Sequence, residues 1–69
     1  MAGAVTLTRD QELWGCAFAV AREHGDGASL FAAMDIDRFD VEGERDAAGV
    51  WREVLKRLEA LEARSAQRQ

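Results

Sequence analysis

Ala47-Ala-Gly-Val-Trp51-Arg-Glu-Val54-Leu-Lys-Arg-Leu58-Glu-Ala-Leu61 is the stretch on which the fold turns. Ala47, Trp51, Val54, Leu58 and Leu61 recur at intervals of four, three, four and three, with Val50 and Leu55 on the flanks. At about 100° per residue this spacing gathers the apolar side chains into one stripe, the pattern of an amphipathic helix. Glu53 precedes Arg57 by four residues, the favourable order for a surface ion pair. So few intervals suit a coiled-coil seam and an ordinary bundle helix alike, and bundle packing is the expectation. Gly43 closes whatever precedes, so this helix is predicted over about residues 44–64.

Working outward, apolar residues recur at helical rather than strand spacing along the whole chain, which predicts an all-α fold. Thr8-Arg-Asp-Gln11 has the form of a capping box, placing a first helix at about residues 9–24. On it Leu13, Ala17, Val20, Ala21 and His24 share one face, with Trp14 and Phe18 on one flank and Cys16 on the other. That arc spans about 200°, wider than the roughly 100° a core-covering helix needs, so neighbours are expected on two sides. In His24-Gly25-Asp26-Gly27, Gly25 suits a left-handed stop, His24 favours the C-terminal dipole and Asp26 is placed to cap the next helix. A second helix follows over about residues 28–42. Ala28, Phe31, Ala32, Ile36 and Phe39 line one side of it, and Leu30, Met34 and Val41 form a stripe on nearly the opposite side.

The outcome is a small three-helix domain. A flexible N-terminus over residues 1–7 precedes a single domain over residues 8–64, and a frayed polar tail occupies residues 65–69. The expected core unites Leu13, Ala17, Val20, Phe31, Ile36, Phe39, Trp51, Val54, Leu58 and Leu61. Gly15 and Gly49 sit inside predicted helices beside tryptophans; each either admits a close helix approach or is a tolerated weakness.

Composition narrows the function. A chain of 69 residues hides only about 60% of its unfolded surface and usually needs a staple. Cys16 is the only cysteine, so no internal disulfide forms. Cys16 and His24 are too few for a structural zinc site. The longest apolar run, Trp14 to Ala21, is far short of the roughly 20 residues of a membrane span, and the N-terminus lacks a basic region ahead of an apolar one. A cytoplasmic protein stapled by self-association is the expectation.

Catalytic and cofactor patterns fail on inspection. Asp35-Ile-Asp37 opens like a calcium loop, but Phe39 falls at the fifth ligand position, Asp40 replaces the turn glycine and Asp46 falls at the twelfth position. Cys16 and His24 stand eight residues apart, about 12 Å along a helix and beyond hydrogen-bond reach. Gly25-Asp-Gly27 lacks the rest of a phosphate loop. No catalytic residue, cofactor or metal is therefore expected. Residues 1–43 carry three arginines against eight acids, and residues 44–69 carry six basic residues against five acids. With a pI near 4.8, this is not a nucleic-acid footprint unless a dimer concentrates Arg45, Arg52, Lys56, Arg57 and Arg64.

Three segments taken together resemble a known family. They are Thr8-Arg-Asp-Gln-Glu-Leu-Trp14-Gly-Cys-Ala, Val20-Ala-Arg-Glu-His-Gly-Asp26, and Gly49-Val-Trp51 leading into Val54-Leu-Lys-Arg-Leu-Glu-Ala-Leu61. The set is similar to short alphaproteobacterial proteins of unknown function, of the kind common in sphingomonad-type bacteria, over roughly residues 6–63. The resemblance implies a small helical cytosolic protein and brings no activity, ligand or catalytic residue. That family often has a second acid after His-Gly-Asp and then a proline, where this chain has Gly27 and Ser29.

The functional expectation is a non-catalytic, self-associating protein-interaction module. Its candidate interface residues are Cys16, Phe18, Leu30, Met34 and Val41, because three helices this short cannot bury so many apolar faces. One alternative is a small regulator touching nucleic acid through the arginines of the third helix as a dimer. Another is an adaptor or inhibitor docking onto a different protein.

Overall fold

The computed structural model describes residues 6–67, and expectations for residues 1–5 and 68–69 fall outside them. Three α-helices, α1 (Arg9–His24), α2 (Ala28–Val41) and α3 (Arg45–Gln67), account for nearly all of it, with no strand among the described residues. A single 3₁₀ turn, Gly25–Gly27, joins α1 to α2 without a non-helical residue between them. The chain is thus one bent helical stretch followed by one long helix. Two helices begin and end within a residue of expectation; α3 runs on to Gln67, three residues past its expected end.

Local chemistry explains the boundaries. The Gln11 backbone N–H donates to Thr8 Oγ1 at 3.1 Å, and the Thr8 N–H donates to Gln11 Oε1 at 2.9 Å, closing the capping box that starts α1. α2 stops at Gly43, whose φ of 77° lies in the left-handed region. There Glu44 N–H donates to the Phe39 carbonyl at 2.8 Å and Gly43 N–H to the Asp40 carbonyl at 3.2 Å. These two bonds form a Schellman stop, and they turn the chain within three residues.

The expected role of Asp26 is not realised. Gly25 has a φ of 55°, and its N–H still donates to the Ala21 carbonyl, while the Ala28 N–H donates to the Gly25 carbonyl. The turn leads directly into α2, which starts at Ala28 after Gly27 with no side-chain cap. The Ala28 N–H, at the first residue of α2, is thus bonded to backbone rather than to the Asp26 side chain.

α2 returns antiparallel along α3, pinned at both ends. Ser29 Oγ donates to Glu62 Oε2 at 2.6 Å near one end, and Arg52 meets Asp40 at 2.5 Å near the other. α1 lies across α3, anchored where Arg57 Nη2 donates to Asp10 Oδ1 at 2.6 Å.

The core is smaller than the sequence suggests. Leu13, Ala17, Val20, Ala28, Ala32, Val54 and Leu58 form the buried cluster, and Ala48 is buried apart from it. Phe31, Ile36, Phe39, Trp51 and Leu61, expected in the core, are only half-buried. The fully buried positions on α1 and α2 are mostly alanines, which let helix axes approach; large side chains beside the contact then spread to its rim. There Phe31 stacks on His24, centroids 3.9 Å apart, and meets Trp51 edge-on at 5.7 Å, so an aromatic run touches all three helices.

The broad arc of α1 meets both α3 and α2, as its width implies, but is covered only in part. Only Leu13, Ala17 and Val20 are buried on that helix. The body is a slab 17 Å thick with a radius of gyration of 13.8 Å, against about 11 Å for a compact chain of this length. Gly15 and Gly49 have open space where a Cβ would stand, so they are tolerated weaknesses and not sites of close approach.

Candidate interaction surface

Four of the five expected interface residues come from apolar side chains that the fold leaves outside. Leu30 is 65% exposed, Met34 63%, Val41 82% and Phe18 56%. Cys16 is a free, exposed thiol. The structure does not bring all five together. Leu30, Met34 and Val41 lie within about 40° of one another on α2, opposite the face that buries Ala28 and Ala32. Cys16 and Phe18, two residues apart on α1, point about 160° away from each other and cannot belong to one surface patch.

Phe18 belongs to a different feature. Its ring lies 5.9 Å from that of Trp14, and with Leu61, Arg64 and Ser65 it borders a depression of about 260 Å³. A neighbouring hollow of about 400 Å³ has Ala21, Ala28, Leu58 and Leu61 as its apolar lining and Asp26 and Glu62 among its polar lining. Sequence reasoning missed these hollows, because they lie between elements whose relative placement no spacing encodes.

The charged groups serve the fold. Arg57 has a side chain only 14% exposed. Besides Asp10, it donates through Nη1 to Glu53 Oε1 at 3.1 Å and to the Glu53 carbonyl at 2.9 Å, and its guanidinium lies 5.6 Å over the Trp14 ring. The hydrogen bond to Asp10, joined by that to Glu53, holds Arg57 above its ordinary pKa despite the opposing effect of burial. Hydrogen bonds from Arg57 and then Lys56 hold the Glu53 carboxyl below the usual glutamate value of 4.5.

Of the five basic residues that would greet a phosphate backbone, Arg52, Lys56 and Arg57 are thus already paired with carboxylates. Among the described residues, no three His, Cys, Asp or Glu side chains cluster as a metal site would require, and no helix is long and apolar enough to cross a membrane. What the geometry offers is an apolar stripe on the outside of a helix.

Residues 9–66 match DUF6961, a family of unknown function. The chain belongs to the DUF6961 family. The match spans all three helices, from the first residue of α1 almost to the end of α3. No curated protein and no solved structure is detectably similar to this family member.

Proposed function

We propose that this DUF6961 protein is a small, non-catalytic interaction module that works by associating with itself in the cytoplasm, in an alphaproteobacterial setting that its residue pattern implies. One observation carries the reading: apolar surface is left over. The chain exposes 5333 Å², whereas a compact monomer of 7.6 kDa exposes about 4,300 Å². Part of that surplus is apolar: Phe18, Leu30, Met34 and Val41 are each more than half exposed.

The exposed residues are of the kind that association buries. Leu30, Met34 and Val41 share one helix face, with Asp37 between Met34 and Val41, and grouped apolar surface marks interaction sites more often than scattered single residues do. A flat three-helix slab with little core is also the sort of fold that a second copy would stabilise.

Light scattering at micromolar concentration tests the proposal. The expected particle has twice the 7.6 kDa chain mass. A particle of one chain mass at every concentration overturns it. Recovery of the chain with a different protein at the expense of the self-associated form would replace it with the adaptor reading.

A further inference from the structure

We infer that the hollow where α1, the Gly25–Gly27 turn and α3 meet is a binding site for a small organic cation, a protonated amine carried on a short apolar body. This goes beyond the self-association proposed above and uses no residue of the α2 stripe. The hollow measures about 400 Å³, within the roughly 300–1,000 Å³ of small-molecule sites. It opens onto the core: Leu58 and Ala28 line it at 2% and 3% exposure, and Ala21 and Leu61 extend the apolar lining. Leu61 and Ser65 also line the neighbouring depression, so the apolar floor continues towards Phe18.

The head group follows from charge complementarity. Asp26 and Glu62 line the hollow, and among the described residues no lysine or arginine does. Elsewhere Asp10 and Glu53 are paired with Arg57, Asp35 with Arg38 and Asp40 with Arg52, whereas neither Asp26 nor Glu62 has an ion-pair partner among the described residues. The Ser29 hydroxyl donates to Glu62 Oε2 at 2.6 Å, which orients that carboxylate and leaves its other oxygen open. Two uncompensated carboxylates beside an apolar floor attract an ammonium group attached to hydrocarbon and repel a carboxylate or phosphate of the same shape. An ammonium has three donors, for which Asp26, Glu62 and Ser65 supply acceptors. The net charge of −4 favours the same sign of ligand at longer range.

Titration of the isotope-labelled full chain with hexylammonium, hexanol and hexanoate, followed by amide chemical shifts, tests the site. Hexylammonium should bind with a Kd of about 1 mM and shift the amides of Gly25, Asp26, Ala28, Glu62 and Ser65. Hexanol, without the charge, should bind about tenfold more weakly, and hexanoate more weakly still. Asp26→Asn and Glu62→Gln should each weaken hexylammonium about threefold, and together about tenfold, while leaving hexanol unmoved. Asp37→Asn removes the same charge from the exposed side of α2 and should leave Kd within about twofold.

Equal affinity for hexylammonium and hexanol, a loss with Asp37→Asn as large as that with Asp26→Asn, or no saturable shift in the hollow up to about 20 mM overturns the site. If Glu62→Gln loses helicity along with its contact to Ser29, Asp26→Asn decides, since Asp26 is exposed and has no side-chain hydrogen bond among the described residues. Weakening supports the site, and an unchanged Kd overturns it.

Discussion

Along α2, the inner face of Ala28, Phe31, Ala32, Ile36 and Phe39 meets α3 and the core, whereas Leu30, Met34 and Val41 on the outer face meet solvent. Both faces are apolar, and the sequence spacing treats them alike. Residue size separates them. The inner face carries alanines at positions that are 3% and 0% exposed, which admits close helix contact; the outer face carries long side chains with nothing against them. Apolar character alone therefore does not say which face a small domain buries; on α2 the buried positions are Ala28 and Ala32.

The comparison breaks most sharply in the core that the inner face serves. Leu58→Ala should lower the unfolding free energy by about 2–5 kcal/mol in urea titration, since Leu58 is 2% exposed at the centre of the α3 seam. Within α2, Ala32→Leu should cost about 1–3 kcal/mol by overpacking. Its neighbour Ala33 is exposed, and Ala33→Leu at dilute protein should change stability by less than about 0.5 kcal/mol. Equal costs for the two would mean that α2 is oriented differently.

Smaller effects sharpen the picture on the other helices. Gly15→Ala and Gly49→Ala should each stabilise by about 0.5–1 kcal/mol in thermal unfolding, because a Cβ meets open space at both sites. Losses at either position would restore a close-approach role. The smallest effect is electrostatic. Glu53 has a folded-state pKa below its unfolded value, so its contribution is complete above about pH 4.5 and is lost as pH falls through the lower, folded-state value. Glu53→Gln should flatten the pH dependence of stability in that acid range.

Much of the fold was legible because helix boundaries are local chemistry. Thr8 with Gln11, and Gly43 with its positive φ, act through neighbours in sequence, and both ends came out as the sequence implies. Asp26 misled because the 3₁₀ turn supplies the Ala28 N–H with a backbone acceptor, and α2 starts without a side-chain cap. Phe31, Ile36, Phe39, Trp51 and Leu61 were assigned to the core by periodicity, which gives direction around a helix but not the distance to the next one. In a slab 17 Å thick, a side chain directed inward still reaches the rim.

The candidate surface followed the same logic. Leu30, Met34 and Val41 were legible as a stripe, since their angular spacing survives any packing of α2. Cys16 and Phe18 were legible as the two opposite flanks of the α1 arc, and that same angular spacing keeps them off one patch. The hollows beside Leu61 had no sequence signal at all, because residues of separate helices line them.

The central claim is that the fold covers the inner face of α2 and leaves the outer face, under the self-association proposed above, to a second copy. Methyl NMR across a dilution series tests this most directly. The account expects the Leu30, Met34 and Val41 methyl signals to shift as the protein is diluted while those of Val54 and Leu58 hold still. Stripe methyls that stay fixed at every concentration would contradict it.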